Sequence, residues 1–218
     1  MKSRKIIYFI LMFLPLVATL VLLPFFPEQI PAHYGADYQV TRWGSKWELL
    51  ILPAATLLMA GFFPLVTKLV RAAEPDGKNN EKVLLISGCA TLLLFNVMTG
   101  YFLYTAYHQL ENLSEFPVDM NRIVFVVLGI VLIIVGNEMP KARRNSLCGL
   151  RTPRSMKNEV TCKKSQRFGG ISFIVAGAVM VVVSLLTHGW SCFAWAMGIL
   201  LLVAVVDVMY TYRVAKGN

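Results

Sequence analysis

The sequence predicts an all-α, polytopic membrane protein with six transmembrane helices and both termini in the cytoplasm. Three observations predict it. The 218-residue chain is 56% hydrophobic and only 15% charged, with a mean hydropathy of +0.61, which is more apolar surface than a soluble domain of that size can hide from water. Its apolar residues gather in six runs, most of them near the roughly 20 residues that a helix needs to cross about 30 Å of hydrocarbon. Its Lys and Arg residues fall in alternate connections, the pattern that sets orientation.

The first run, residues 6–26, follows a basic start at Lys2, Arg4 and Lys5. It exceeds a typical signal core and no small-x-small cleavage site closes it, so it reads as an anchor. The second run covers residues 47–70, the third 83–107, the fourth and shortest 123–139, the fifth 169–187 and the sixth 190–210. Only His188 and Gly189 separate the last two, which predicts a tight helical hairpin. Pro15, Pro53 and Pro64 each remove a backbone hydrogen bond, so the first two helices are expected to kink or become irregular. Ser172 with Ala176, and Ala194 with Gly198, stand at helical spacing and are expected to let the last two helices approach closely. Asn96, in the middle of the third span, needs a partner, either an interhelical hydrogen bond or a ligand or ion contact. Asp207 is the one acid of the sixth span; pairing with Arg213 or the basic loop is expected, with a proton or ion site as the alternative.

Counting cations by connection separates two sides. One side receives Lys2, Arg4 and Lys5, then Lys68, Arg71, Lys78 and Lys82, then nine residues between 136 and 170, then Arg213 and Lys216. Arg42, Lys46 and Arg122 are left for the opposite face, with the acids Glu111, Glu115 and Asp119. The cation-rich side is expected in the cytoplasm. Trp43, Trp47, Tyr104, Tyr107 and Trp190 fall at predicted outer ends and Tyr8, Tyr210 and Tyr212 at inner ends, where amphipathic rings meet headgroups. The net charge of +9 is therefore a topology signal and an attraction to anionic membrane lipids, and calls for no direct nucleic-acid partner.

Catalytic and metal signatures are missing from the sequence. His33, His108 and His188 fall on the predicted outer side with Asp37, Glu111 and Cys192, but there is no HExxH, no CxxC and no His pair at i, i+4. Cys89, Cys148, Cys162 and Cys192 form no disulfide framework, because Cys148 and Cys162 face a reducing compartment. No GxSxG or phosphate loop surrounds a nucleophile. No enzyme activity and no cofactor are expected.

Residues 136–170, GNEMPKARRNSLCGLRTPRSMKNEVTCKKSQRFGG, set nine cations against Glu138 and Glu159. Gly136 and Asn137 can end the fourth helix and Pro140 cannot easily continue it. Thr152 and Pro153 predict the start of a further helix, with Thr as cap, that carries Met156 and Val160 on the inner membrane surface. Gly169 and Gly170 are expected to break that helix before the fifth span. The arginines are suited to anionic lipid, to a carboxylate of the chain such as Glu138 or Asp207, or to an acidic partner.

The pattern GNxMPKxRRNSxxGxRTP, residues 136–153, resembles the signature of the SdpI family of bacterial membrane proteins. IPAHYGADYQVTRWGSK, residues 30–46, is similar to the IPxH...GSK element of the amino-terminal DUF1648 domain that accompanies that signature. The resemblance implies two regions: residues 1–122, DUF1648-like, three helices with an outer loop at 27–46; and residues 123–218, SdpI-like, three helices with a basic cytoplasmic loop at 140–168. It implies a multi-pass protein of the bacterial cytoplasmic membrane that confers immunity to a secreted toxic peptide of the SDP kind. It further implies signalling, since the founding member holds a small cytoplasmic transcriptional repressor at the membrane. Pro31, His33, Tyr34, Gly44, Ser45 and Lys46 would then meet the toxin, and Asn137, Pro140, Arg144, Asn145, Gly149, Arg151, Thr152 and Pro153 the inward partner. The chain departs from the family pattern at Arg154 and Cys162, where many members carry tryptophan, and at Ser165, Gln166 and Arg167, where they carry a THR-like triplet. The alternatives are a small-molecule or ion transporter, which requires Asn96 and Asp207 on a common polar cavity, and a purely regulatory membrane tether.

Overall fold

The computed structural model describes residues 2–73, 78–115, 119–142 and 149–216. Six helices account for most of them: α1 (Lys2–Leu22), α2 (Ile51–Ala73), α3 (Lys78–Tyr107), α4 (Met120–Glu138), α5 (Glu159–Leu186) and α6 (Gly189–Lys216). All six, with their flanking turns, are long and apolar enough to cross a membrane. Their outward faces carry Leu58, Val182, Leu186, Leu201 and Leu202 at more than half exposure, a surface only lipid can cover. The start of α1 meets the start of α3 through Lys5 and Glu81 at 3.7 Å, and the segment before α5 meets the end of α6 through Lys157 Nζ and Ala215 O at 3.3 Å. This end of the bundle is the basic face.

At the opposite end the chain between α1 and α2 forms an antiparallel hairpin, β1 (Gln29–Tyr34) and β2 (Val40–Ser45), where sequence reading placed only a loop. Gln29 pairs with Ser45, Pro31 with Trp43 and Tyr34 with Val40, with an irregularity on each side of His33. Beneath it lies a cluster of Leu23, Phe26, Ile30, Leu49, Leu103 and Ala106.

The prolines of α1 and α2 are answered across helices. Pro15 has no N–H for Leu11 O four residues back, and Asn96 Nδ2 from α3 donates to that carbonyl at 2.8 Å. Pro64 likewise leaves Ala60 O without its donor, and the Tyr8 hydroxyl from α1 donates to it at 2.6 Å. Each of these two prolines thus leaves an acceptor that a neighbouring helix occupies, which ties α1, α2 and α3 together where water cannot.

The second half is closed by glycine. A Cβ on Gly136 would stand 2.6 Å from Gly170 O, and one on Gly170 would stand 2.6 Å from Gly136 O. Seven residues earlier in α4 and seven later in α5, Gly129 and Gly177 repeat the arrangement, with Gly177 O 2.7 Å from a Cβ on Gly129. The backbones of α4 and α5 touch at both levels.

Four sequence expectations are corrected here. No surface helix starts at Thr152: Thr152 Oγ1 does accept from Ser155 N at 2.9 Å, but Ser155 is fully buried with its hydroxyl shared between Leu150 O and Thr152 O, which draws the turn inward. Asn158, in extended conformation, then caps a new helix by accepting from Thr161 N at 2.7 Å. Gly169 and Gly170 do not break that helix; they lie inside α5 against Met139, Gly136 and Pro140. Ala194 and Gly198 do not meet α5, since Ala194 is exposed and a Cβ on Gly198 would meet nothing within 4 Å; α5 and α6 pack instead through Met180, Cys192 and Ala196 and through Ser172 with Asp207. Two residues join the last spans, but they are Thr187 and His188 in place of the expected His188 and Gly189; Gly189 opens α6 at φ +55°.

Candidate functional site

The hairpin face holds one candidate set. The ring of His33 meets Thr41 Oγ1 at 2.6 Å across the strands, while the Tyr34 hydroxyl donates to Leu110 O at 2.8 Å and is pushed above its ordinary pKa by burial. Gly44, Ser45 and Lys46 build the junction with α2. Gly44 leaves the space that the Glu48 carboxylate fills, Ser45 Oγ accepts from Trp47 N at 3.4 Å, and Lys46 Nζ contacts Glu28 Oε1 at 2.8 Å to close the base of the hairpin. Glu48 in turn holds Arg42 in a two-point bond, Nη1 to Oε1 at 3.0 Å and Nη2 to Oε2 at 2.8 Å, which raises the Arg42 pKa. Of the six expected outer residues, His33 and Ser45 are exposed, Tyr34, Gly44 and Lys46 are partly covered, and Pro31 is buried.

Arg42, Glu48 and Pro31 line a crevice of about 250 Å³ that continues to Ala32, Leu52 and Phe102. Trp43 and Trp47, the sequence neighbours of Arg42 and Glu48, are exposed, as is Phe25 before the hairpin. The sequence singled out neither the Arg42–Glu48 pair nor the crevice. The pairing crosses a strand-to-helix junction, and only the room at Gly44 hints at it. The hairpin is also docked on the rest of the bundle: Trp190 Nε1 donates to Ala36 O at 2.9 Å, Leu113 N to Tyr38 O at 3.0 Å, and Asn121 Nδ2 to both Tyr38 Oη and Gly189 O.

On the basic face, Asn137 and Pro140 are exposed at the end of α4, and Arg144 and Asn145 lie outside the described residues. Gly149 has φ +86° and stands where any Cβ would strike the Gln166 side chain. Gln166 reads the backbone of the next residue from both sides, accepting from Leu150 N at 3.1 Å and donating to Leu150 O at 3.3 Å. Thr152 Oγ1 donates to Thr211 Oγ1 at 3.0 Å, and Arg154 lies 4.3 Å from the centre of the Tyr212 ring. Arg151 and Pro153 face outward, and Arg151 edges a cavity of about 360 Å³ with Val83, Ser87 and Met139. Residues 149–155 are therefore a turn clamped onto α5 and α6, with Gln166 of the departing triplet as one jaw.

Neither acid expected to take an arginine does so among the described residues. Glu138 is held by Lys141 at 2.6 Å, and Asp207 accepts from the Ser172 hydroxyl at 2.6 Å. That hydroxyl also lies 2.9 Å from Gly169 O, so its one hydrogen has two acceptors. Asn96 is tied to α1 and Asp207 to α5, in different helix groups. Among the described residues, no three His, Cys, Asp or Glu side chains gather as a metal site would require.

Six apolar helices closed at one face by a hairpin and at the other by a basic turn define a polytopic all-α membrane protein. Residues 141–211 match the SdpI/YfhL protein family and residues 10–57 match DUF1648, a domain of unknown function. The chain is 25% identical over 214 residues to the Immunity protein SdpI of Bacillus subtilis (strain 168), covering 98% of this chain and 97% of that protein. An uncharacterized protein of Archaeoglobus fulgidus is 44% identical over 43 residues, 20% of this chain and 24% of that protein. No solved structure matches at a significant level. Residues 141–211 thus carry the SdpI/YfhL pattern, and the chain is a multi-pass bacterial membrane protein.

Proposed function

We propose that the chain is an immunity protein that protects its cell from a secreted antimicrobial peptide. The observation that carries this reading is the likeness, along 98% of the chain, to a protein named for immunity. In this reading the hairpin face is outside, the basic face and both termini are cytoplasmic, and residues 1–122 receive the peptide while residues 123–218 answer inside. An amphipathic peptide suits the hairpin face, where Trp43 and Trp47, next in sequence to the Arg42 and Glu48 that form the charged lip of the crevice, are exposed. On the basic face, the outward arginines Arg151 and Arg154 suit an acidic surface of a cytoplasmic repressor.

The test is survival of a sensitive bacterium that expresses the chain and is challenged with an SDP-type peptide. The wild type is expected to protect; Trp43→Ala with Trp47→Ala, at matched membrane level, is expected to lose protection; and Arg151→Glu is expected to keep it while weakening capture of the repressor. Correct insertion without protection would exclude immunity to that peptide.

A further inference from the structure

We infer that a groove between α1, α2 and α3, at the basic face, is a binding site for one acidic glycerophospholipid, with its acyl chain in the groove and its phosphate held by Lys5 and Lys68. The groove has a volume of about 580 Å³, within the roughly 300–1,000 Å³ that small-molecule sites occupy. Phe9 and Met12 of α1, Gly61 and Pro64 of α2, and Leu85 of α3 form its walls. It exists because α2 supplies no bulk there: a Cβ on Gly61 would meet nothing within 4 Å, and the preceding residue is Ala60. The floor is chemically quiet, since the Tyr8 hydroxyl and Ala60 O satisfy each other.

The mouth is polar. Lys5 and Lys68 stand at the two rims, where the apolar stretches of α1 and α2 give way to the basic end and where lipid phosphates lie. Lys5 is about half exposed and pairs loosely with Glu81 at 3.7 Å, which leaves hydrogens on its ammonium for a second acceptor. The Glu81 side chain is 10% exposed and already faces Lys5, so it aims that lysine and offers little to a choline. Two cations against one engaged carboxylate select a headgroup with net negative charge, and an apolar groove between helices beneath a basic rim is the form such lipid sites take.

The test uses the purified full chain in detergent and native mass spectrometry with phosphatidylglycerol or phosphatidylcholine of the same acyl chains. The wild type should retain phosphatidylglycerol preferentially. Lys5→Gln with Lys68→Gln should lower its retention about fivefold per lysine, whereas Lys163→Gln with Arg167→Gln, on the exposed side of α5, should leave it unchanged. Gly61→Leu, which fills open space, should displace both lipids. Equal retention of the two lipids by the wild type, or an equal loss in the α5 control, would overturn the site. A photoactivatable phosphatidylglycerol applied to the unaltered protein gives an independent reading: adducts on the α1 and α2 peptides around Met12 and Gly61 support it, and adducts confined to other helices refute it.

Discussion

Tyr8→Phe removes one oxygen atom, and the structure says what that atom does. The hydroxyl donates to Ala60 O at 2.6 Å, and that carbonyl has no donor in its own helix because residue 64 is proline. Hydrogen bonds between helices in bilayers average about 0.6 kcal/mol and reach about 1.7. Leaving the acceptor empty in an apolar setting adds to the loss, since an unsatisfied buried group costs about 1–3 kcal/mol. A loss of about 2 kcal/mol is expected in total. In a Pro64→Ala background the N–H of residue 64 returns and reaches Ala60 O through the helix, so the same substitution should then cost under about 0.5 kcal/mol. The assay is denaturant unfolding of the four purified proteins in micelles, with the coupling read as a double-mutant cycle. Equal cost of Tyr8→Phe in both backgrounds would refute the reasoning. Asn96→Leu with Pro15→Ala is the matching cycle, although Asn96 spends its second hydrogen on Leu92 O, which that helix also serves.

Gly170→Ala and Gly136→Ala should each push α4 and α5 apart and cost about 1–3 kcal/mol by overpacking, whereas Gly198→Ala, facing open space, should be neutral in the same unfolding assay. Gly149→Ala should cost about 1–2 kcal/mol for the positive φ alone, and Gln166→Ala in that background should recover only the part due to collision with the Gln166 amide. Asp207→Asn should preserve stability, because an amide can donate to Ser172 Oγ and release the serine hydrogen to Gly169 O; Asp207→Ala should lower the unfolding midpoint. Glu48→Gln should loosen Arg42 and raise protease sensitivity of the hairpin without altering the helices, as read by limited proteolysis and circular dichroism.

The spans were legible because the length of an apolar run is a property of the chain alone, and the basic connections fixed which ends share a face. Asn96 announced its need for a partner, but that the partner would be the carbonyl abandoned by Pro15 depends on α1 lying beside α3. Thr152 has the character of a helix cap, and locally it behaves as one; burial of Ser155 then stops the turn, a tertiary effect absent from local propensity. A Gly169–Gly170 pair weakens a helix in water. In hydrocarbon the backbone must bond to itself, and glycine serves instead as a contact surface. Within the IPxH...GSK element, Gly44, Ser45 and Lys46 are largely engaged in joining the hairpin to α2, and the exposed indoles and the Arg42–Glu48 lip lie on either side of them.

The paired glycines of α4 and α5 bear on the order of assembly. A contact made of bare backbone surrenders no rotamer freedom when it forms, since glycine has no side chain to immobilise, so this pair can associate as soon as both helices have entered the bilayer. The proline-containing half is different: Ala60 O finds its donor once α1 and α2 are together, but Leu11 O stays unsatisfied until α3 arrives. The last helices to be synthesised thus contain the contact that closes most readily, and the first ones wait for one another.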